Sequence, residues 1–246
     1  MLTGFSKFYK RKSKWNIYES LFFILLVLVT GYVLIRSPLF EVHRILVRGN
    51  QFLIEDKIRS VADINAGVNI FKLNLATVAK NLKTIPMIKE VQVTRVLPST
   101  VLVTIKERRP LGLLATGEGC IEVDEEGIYL QKTGAGAPGL PVITGIKADV
   151  PSPGEILKAE RLEDALEVIS GMPGEVIGKL SEVHVDQDGQ IKIYTLEGTQ
   201  CRFGPATEVK EKSAVFAQLL KELSKQGAKV KYIDLSSTGT PVVKYQ

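Results

Sequence analysis

Two histidines, two cysteines and two clusters of acidic residues are the side chains from which catalysis or metal binding would have to be built in this sequence. His43 and His184, brought together with Cys120 and Cys201, would make a thiol–imidazole dyad or a zinc centre. Such sites draw their ligands from pairs at short, regular spacing, and no pair here has it. Each histidine sits in an alternating apolar–polar run, and each cysteine in a strand-like run of its own. Asp124 with Glu125 and Glu126, and Asp186 with Asp188, suggest a carboxylate pair for acid–base work or a calcium loop. Both clusters abut a glycine, Gly127 and Gly189, and acidic residues beside glycine are what hairpin turns select. No Gly-rich loop leads into Lys-Ser/Thr, and Gly-x-Ser-x-Gly does not occur. Lys210, Lys212, Lys221 and Lys225 alternate with Glu208, Glu211 and Glu222, which is a mixed solvated helix face and not a phosphate patch. The residues therefore predict no enzyme, no cofactor and no metal.

What organises the chain is an apolar run. Ser20 to Ile35, SLFFILLVLVTGYVLI, is uncharged. As a helix it reaches about 24 Å, and about 28 Å if it starts at Ile17 with Glu19 reaching back to the headgroups, against roughly 30 Å for a bilayer core. Lys7, Lys10, Arg11, Lys12 and Lys14 precede it and only Arg36 follows closely, so the amino terminus is expected in the cytoplasm and the remainder outside. Trp15, Tyr18 and Tyr32 suit the two headgroup zones. The alternative is a cleaved signal peptide, for which the run is long and Arg36-Ser37-Pro38-Leu39 a poor cleavage site.

The net charge of +5 resides in those five tail residues, which leaves the rest with 27 basic and 27 acidic residues. Nucleic acid is therefore not indicated, although the tail suits anionic inner-leaflet lipid. Two cysteines do not make a disulfide scaffold; a single bridge and two buried free thiols both remain open.

Four segments follow from this: a basic tail over 1–16, a span over 17–36, a first external domain over 40–109 and a second over 110–246. In the first, FEVHRILVRGN alternates as a half-buried strand ending in a Gly49-Asn50 turn. Ile54, Ile58, Val61 and Ala62 have helical spacing. Asn74 is a good N-cap for LATVAKNL, with Leu75, Val78, Ala79 and Leu82 on one face, and Pro86 stops that helix. IKEVQVTRV and TVLVTIKER are two strands joined at Leu97-Pro98-Ser99. The order is β-α-α-β-β.

The second domain reads as an α+β fold, an antiparallel sheet with packed helices. CIEVD and IYLQ form a hairpin about Asp124–Gly127, followed by LPVIT. Leu162, Ala165, Leu166 and Ile169 mark a helix. SEVHVD, QIKIYTL and TQCRFG are consecutive antiparallel strands. A long helix from about Ala206 to Gln226 turns Val209, Phe216, Leu219, Leu220 and Leu223 inward, with Gly227 as its stop. KVKYIDLS and TPVVKY close the fold.

At this point the residues resemble a known family. Asn69-x-Phe71, Ile85-Pro86, Val93-x-Arg95 leading to Leu97-Pro98, and Glu107-Arg108-x-Pro110 are similar to the POTRA domain of the bacterial division protein FtsQ, called DivIB in Gram-positive bacteria. Leu97 stands where the family more usually has an aromatic residue. The likeness continues through Glu122-Val123-Asp124-x-x-Gly127, Leu140-Pro141-x-Ile143-x-Gly145 and Ile233-Asp234-Leu235, and covers nearly the whole chain. It implies a single-pass inner-membrane protein of the division septum, without catalysis, that links early and late divisome components by binding the coiled-coil pair FtsB (DivIC) and FtsL outside the membrane. It also implies that the POTRA domain helps bring the protein to the division site.

Taken alone, the last strand reads as an ordinary strand paired only within its own sheet; the resemblance makes it the expected contact. A free edge exposes N–H and C=O groups that a partner strand can complete, and Pro241 suits an edge. Val242 and Lys244 would face one way, Val243 and Tyr245 the other. Carried across, the resemblance implicates Ser237, Gly239, Thr240, Pro241, Val242, Val243, Lys244 and Tyr245, with basic residues of the preceding helix such as Lys212. The alternatives are a POTRA-bearing outer-membrane assembly or secretion component, and an anchored enzyme with a hidden site.

Overall fold

The structure is a computed structural model that describes residues 17–117, 119–134, 137–226, 230–237 and 241–245; the basic tail, Gly227, Gly239 and Thr240 lie outside the described residues. α1, Ile17–Ile35, buries none of its residues against protein. Its 19 residues correspond to about 28 Å. It is the one helix among the described residues long and apolar enough to cross a membrane. Leu21, Phe22, Phe23 and Ile24 are each exposed by 60% or more, so the helix needs a surrounding as apolar as itself.

The first domain is built from β1 (Arg44–Arg48), α2 (Glu55–Ala62), α3 (Leu75–Leu82), β2 (Ile88–Val96) and β3 (Thr100–Glu107), the expected β-α-α-β-β order. β3 is central in the sheet, parallel to β1 and antiparallel to β2. The two helices carry the chain to β2, which runs antiparallel to β1, and the β2–β3 hairpin then lays β3 parallel beside β1. Asn74 caps α3, its Oδ1 accepting from the N–H groups of Ala76 and Thr77. Ile58 and Ala62 from α2, and Val78 and Leu82 from α3, are buried against Val101, Val103 and Ile105 of β3. Gly49 closes the β1 turn at φ +87°, where a Cβ would run into the Ile105 carbonyl.

The second domain continues as β4 (Pro110–Thr116), β5 (Gly119–Asp124), β6 (Tyr129–Thr133), β7 (Val142–Thr144), α4 (Leu162–Ser170), α5 (Gly174–Ile177), β8 (Leu180–Val185), β9 (Ile191–Thr195), β10 (Gln200–Gly204), α6 (Val209–Gln226), β11 (Val230–Asp234) and β12 (Val242–Tyr245). Among the described residues nine strands form one sheet in the order β12-β11-β10-β9-β8-β7-β4-β5-β6. The α+β class holds, but the sheet is mixed where an antiparallel one was expected. β4, β7 and β8 run parallel, as do β10 and β11. The reason is in the connections. α4 and α5 lie between β7 and β8, and α6 between β10 and β11, and a helical crossover returns the chain in the same direction. Hairpin-linked neighbours β8-β9-β10 and β11-β12 are antiparallel as read.

The core sits on the helix-covered face. A row of paired residues crosses the sheet there: Ile121, Leu114, Ile143, Val183, Ile193, Cys201, Ile233 and Val243. All but Val243 are buried, each such aliphatic contributing roughly 1.5–3 kcal/mol on burial. α4 and α6 cover this row and meet at Gly171, where a Cβ would press on Val209.

The domains are joined by charge. Arg108 Nη1 donates to Asp124 Oδ2 at 2.5 Å and to Glu126 Oε2 at 2.6 Å. Lys89 of β2 completes the cluster, with Nζ 2.8 Å from Glu126 Oε1 and 2.9 Å from Glu125 Oε1.

A candidate partner-binding edge

Among the described residues β12 is the outermost strand at one end of the sheet, and β11 is its one paired neighbour. An antiparallel strand uses alternate residues for each flank, so about half of its backbone groups face away from β11. Pro241 stands just before the strand, where a missing N–H removes nothing from the ladder. The register sets Val242 opposite Asp234, Val243 opposite Ile233, Lys244 opposite Tyr232 and Tyr245 opposite Val230. Ile233 and Val230 are buried under the helices, so Val243 and Tyr245 lie on the helix side and Val242 and Lys244 on the open side, as the alternation predicts.

The four are unequally accessible. Val242 is 57% and Tyr245 56% exposed, and Lys244 is exposed. Val243 is half-buried and packs on the main core. Ser237 is exposed before the segment that includes Gly239 and Thr240, which lie outside the described residues.

Lys212 is placed differently from an ordinary surface lysine. It is 7% exposed, its Nζ donates to the Pro205 carbonyl at 3.2 Å and lies 5.3 Å from the Phe203 ring centroid. Burial lowers its pKa from the ordinary lysine value. The side chain therefore ties the start of α6 to the end of β10, and its ammonium is not on the exposed face with Lys210, Lys221 and Lys225.

Sequence reasoning missed three residues beside the edge. Arg202 of β10 stacks over Tyr232 of β11 with its guanidinium carbon 5.2 Å from the ring centroid, and Lys244 Nζ approaches the same ring at 6.0 Å. Asp234 sits next to them: Ser236 donates to its Oδ1 from both N–H (3.0 Å) and Oγ (2.6 Å), and the hydroxyl bond holds the carboxyl below the usual range. Arg202 Nη1 is 3.9 Å from Asp234 Oδ2. The alternation in TQCRFG and KYID carried the signal, since the neighbours of buried Cys201 and Ile233 must face the other way. The open face beside β12 thus offers an aromatic ring flanked by two cations, suited to a strand or helix carrying acidic and apolar side chains.

The histidines, the acidic clusters and the cysteines have ordinary structural roles. His43 Nδ1 is 2.7 Å from the Glu41 carbonyl oxygen, and His184 Nδ1 is 2.8 Å from Thr144 Oγ1. Asp124 Oδ1 accepts from the N–H groups of Glu126 and Ile128, and Asp186 Oδ1 from those of Asp188 and Gln190, so both acidic clusters are Asx turns. Cys120 and Cys201 are free thiols. They occupy β5 and β10, five strand spacings or about 24 Å apart, which rules out a bridge between them. Among the described residues no group of three or more His, Cys, Asp and Glu is arranged to hold a metal.

Residues 40–108 match the family model "POTRA domain, FtsQ-type", and residues 113–236 match "Cell division protein FtsQ/DivIB, C-terminal". The chain is 26% identical over 219 residues to the cell division protein FtsQ of Syntrophotalea carbinolica, covering 87% of this chain and 77% of that protein. It is 26% identical over 240 residues to the cell division protein DivIB of Clostridium botulinum, covering 95% and 92%. The major extracytoplasmic domain of the trans isomer of DivIB from Geobacillus stearothermophilus superposes with a TM-score of 0.37 at 16% identity, over 49% of this chain and 97% of that one. That superposition is too slight to bear weight beside the two family models.

Proposed function

The chain belongs to the FtsQ/DivIB family of cell division proteins, and we propose that it acts there as a single-pass scaffold that holds the FtsB–FtsL pair on the outer side of the inner membrane at the division septum. The family consists of division scaffolds and is not an enzyme family. The observation that carries the reading is the position of β12 at the margin of the nine-stranded sheet, with β11 on one flank. A partner strand added to the other flank satisfies its backbone groups and extends the sheet. Val242, Lys244 and Tyr245 then supply side-chain recognition, Ser237, Gly239, Thr240 and Pro241 shape the approach, and Val243 fastens the strand to the core. Lys212 contributes from beneath by fixing the β10–α6 corner. Arg202 and Tyr232 add a cationic and aromatic rim.

α1 supports the anchoring half of the proposal by its length and its bare apolar surface. The five basic residues before it support an amino terminus in the cytoplasm and a carboxyl terminus in the periplasm. The C-terminal family match, residues 113–236, disfavours an outer-membrane assembly or secretion component, which would share the POTRA match alone. The test is co-purification of FtsB and FtsL with the tagged full-length chain from detergent-solubilised membranes. Capture that survives a charge placed on the β12 flank would remove the proposed edge.

A further inference from the structure

The exit from α1 into the first domain is pinned at both sides. Asn69 Nδ2 donates to the Ile35 carbonyl at 2.7 Å, so a side chain 34 positions along caps the last turn of the apolar helix. Such a carbonyl has no partner within its own helix. Ile70 N–H donates to the Phe40 carbonyl at 2.7 Å, and Val42 N–H to the Val68 carbonyl at 2.9 Å. The Phe40 and Phe71 rings lie 5.2 Å apart. Asn69 Oδ1 accepts from Phe71 N–H at 3.0 Å, which fixes the turn that presents the ring. The short link between helix and domain is therefore a clasp and not a free tether.

Position along the membrane normal follows. With α1 spanning the hydrocarbon core, Ile35 lies at its outer boundary, and so does Asn69. Phe71, two residues on, has its Cα within about 7 Å of that point, and the headgroup layer is roughly 5–7 Å deep on each side. Phe71 is 43% and Leu39 54% exposed, although their sequence neighbours Ile70 and Phe40 pack in the core of the first domain. Arg36, whose guanidinium stacks 4.5 Å over the Tyr32 ring, and Lys72 are exposed beside them. Aromatic and apolar residues flanked by cations are what the lipid–water boundary accommodates.

We infer that Leu39, Phe71, Arg36 and Lys72 form a membrane-seating surface: the first domain rests on the outer leaflet of the membrane that α1 crosses, its apolar residues among the headgroups and its cations against lipid phosphates. The inference rests on the spanning role proposed for α1 above. Its consequence is that the domain is held at a fixed height and tilt, which sets the reach of β12 above the membrane.

The test uses the full chain with Trp15→Phe, reconstituted in phosphatidylcholine–phosphatidylglycerol vesicles, with one tryptophan introduced at a time. Phe71→Trp is the reporter, Leu39→Trp a second reporter, Leu196→Trp a control on an exposed turn of the second domain, and Leu26→Trp a control within α1. Lipids brominated on the acyl carbons nearest the headgroup are expected to quench the Phe71→Trp and Leu39→Trp proteins several-fold more than the Leu196→Trp protein. Aqueous acrylamide is expected to show the reverse order. Adding Asn69→Ala should move the Phe71→Trp protein towards the Leu196→Trp behaviour. If Leu26→Trp is quenched by bromolipid while Phe71→Trp and Leu39→Trp behave as Leu196→Trp does, the seat is overturned and the span stands. Shielding of both reporters from lipid and acrylamide alike overturns it too, in favour of a protein occupant. If Leu26→Trp itself escapes lipid quenching, the spanning reading fails.

Discussion

Arg108 and Asp124 meet at the seam between the two external domains, one following the last strand of the first sheet and the other at the turn between β5 and β6 of the second. Their side chains are 15% and 3% exposed, and the Nη1–Oδ2 distance is 2.5 Å. Asp124 is also the Asx-turn acceptor that shapes its own hairpin. A single carboxylate thus folds the turn with one oxygen and receives the neighbouring domain with the other.

Arg108→Met keeps the stem and removes the charge, leaving Asp124 buried without its counter-ion. Breaking a buried pair by removing one partner costs about 3–5 kcal/mol, and partial solvent access at this seam places the effect at the lower end. Thermal unfolding of the detergent-solubilised full chain should show a clear loss for Arg108→Met. A melting temperature equal to wild type would show that the seam carries no ionic stability.

Glu126 lies between Arg108 and Lys89, with Asp124 and Glu125 as the neighbouring acids. The hydrogen bond from Arg108, then that from Lys89, holds its pKa down to about 2. A lowered carboxyl pKa contributes stability that is complete above the ordinary glutamate range and lost as pH falls through it towards the folded value. The side chain is 45% exposed, so the contribution is under about 1 kcal/mol. Glu126→Gln should be slightly less stable than wild type at neutral pH, with the gap closing as pH drops from about 4.5 to about 2. A gap constant over that window would contradict the assignment.

Cys201 lies fully buried in the row beneath α6, and burial pushes its thiol well above the usual range, with nearby Asp234 adding to the shift. A thiol without access or thiolate character does not react. In the native full chain a maleimide should label the Cys201→Ser variant at Cys120 and leave the Cys120→Ser variant unlabelled until denaturant is added. Native labelling of the latter at the rate of an exposed thiol would place Cys201 outside the core.

Local patterns in the sequence were reliable where one face of an element meets one core. Asn74 as a cap, Val78 with Leu82, and Val101, Val103 and Ile105 all fell where periodicity put them. Long-range pairing was not legible in the same way. The parallel pairing of β10 with β11 depends on α6 crossing over the sheet, and nothing in TQCRFG or KYID encodes strand direction. β4 was missed because Leu113 and Leu114 are both buried and break the alternation of a half-exposed strand. Lys212 read as part of a solvated face because helical spacing reports which residues share a side, not how far a long side chain tucks back towards Phe203. The edge position of β12 was anticipated, while Arg202 and Tyr232 became visible as neighbours only through the register across three strands.

Substitutions on β12 must separate recognition from folding, and burial decides which residue serves. Val243 packs on the core, so a charge there perturbs the fold as well as the edge, and it is the wrong position for a clean test. Tyr245 and Val242 are each more than half exposed, one on each face of the strand. Tyr245→Glu and Val242→Glu should leave the melting temperature of the free chain close to wild type. Each should weaken capture of FtsB and FtsL about tenfold or more, since an aromatic or apolar anchor at an interface is worth roughly 1–3 kcal/mol and 1.4 kcal/mol is a factor of ten. Lys210→Ala, exposed on α6 away from the strand, is the matched control and should bind as wild type. Equal capture by all three variants would mean that the partner docks elsewhere, and loss of capture with Val243→Glu alone would mean that only an intact fold, not this margin, is required.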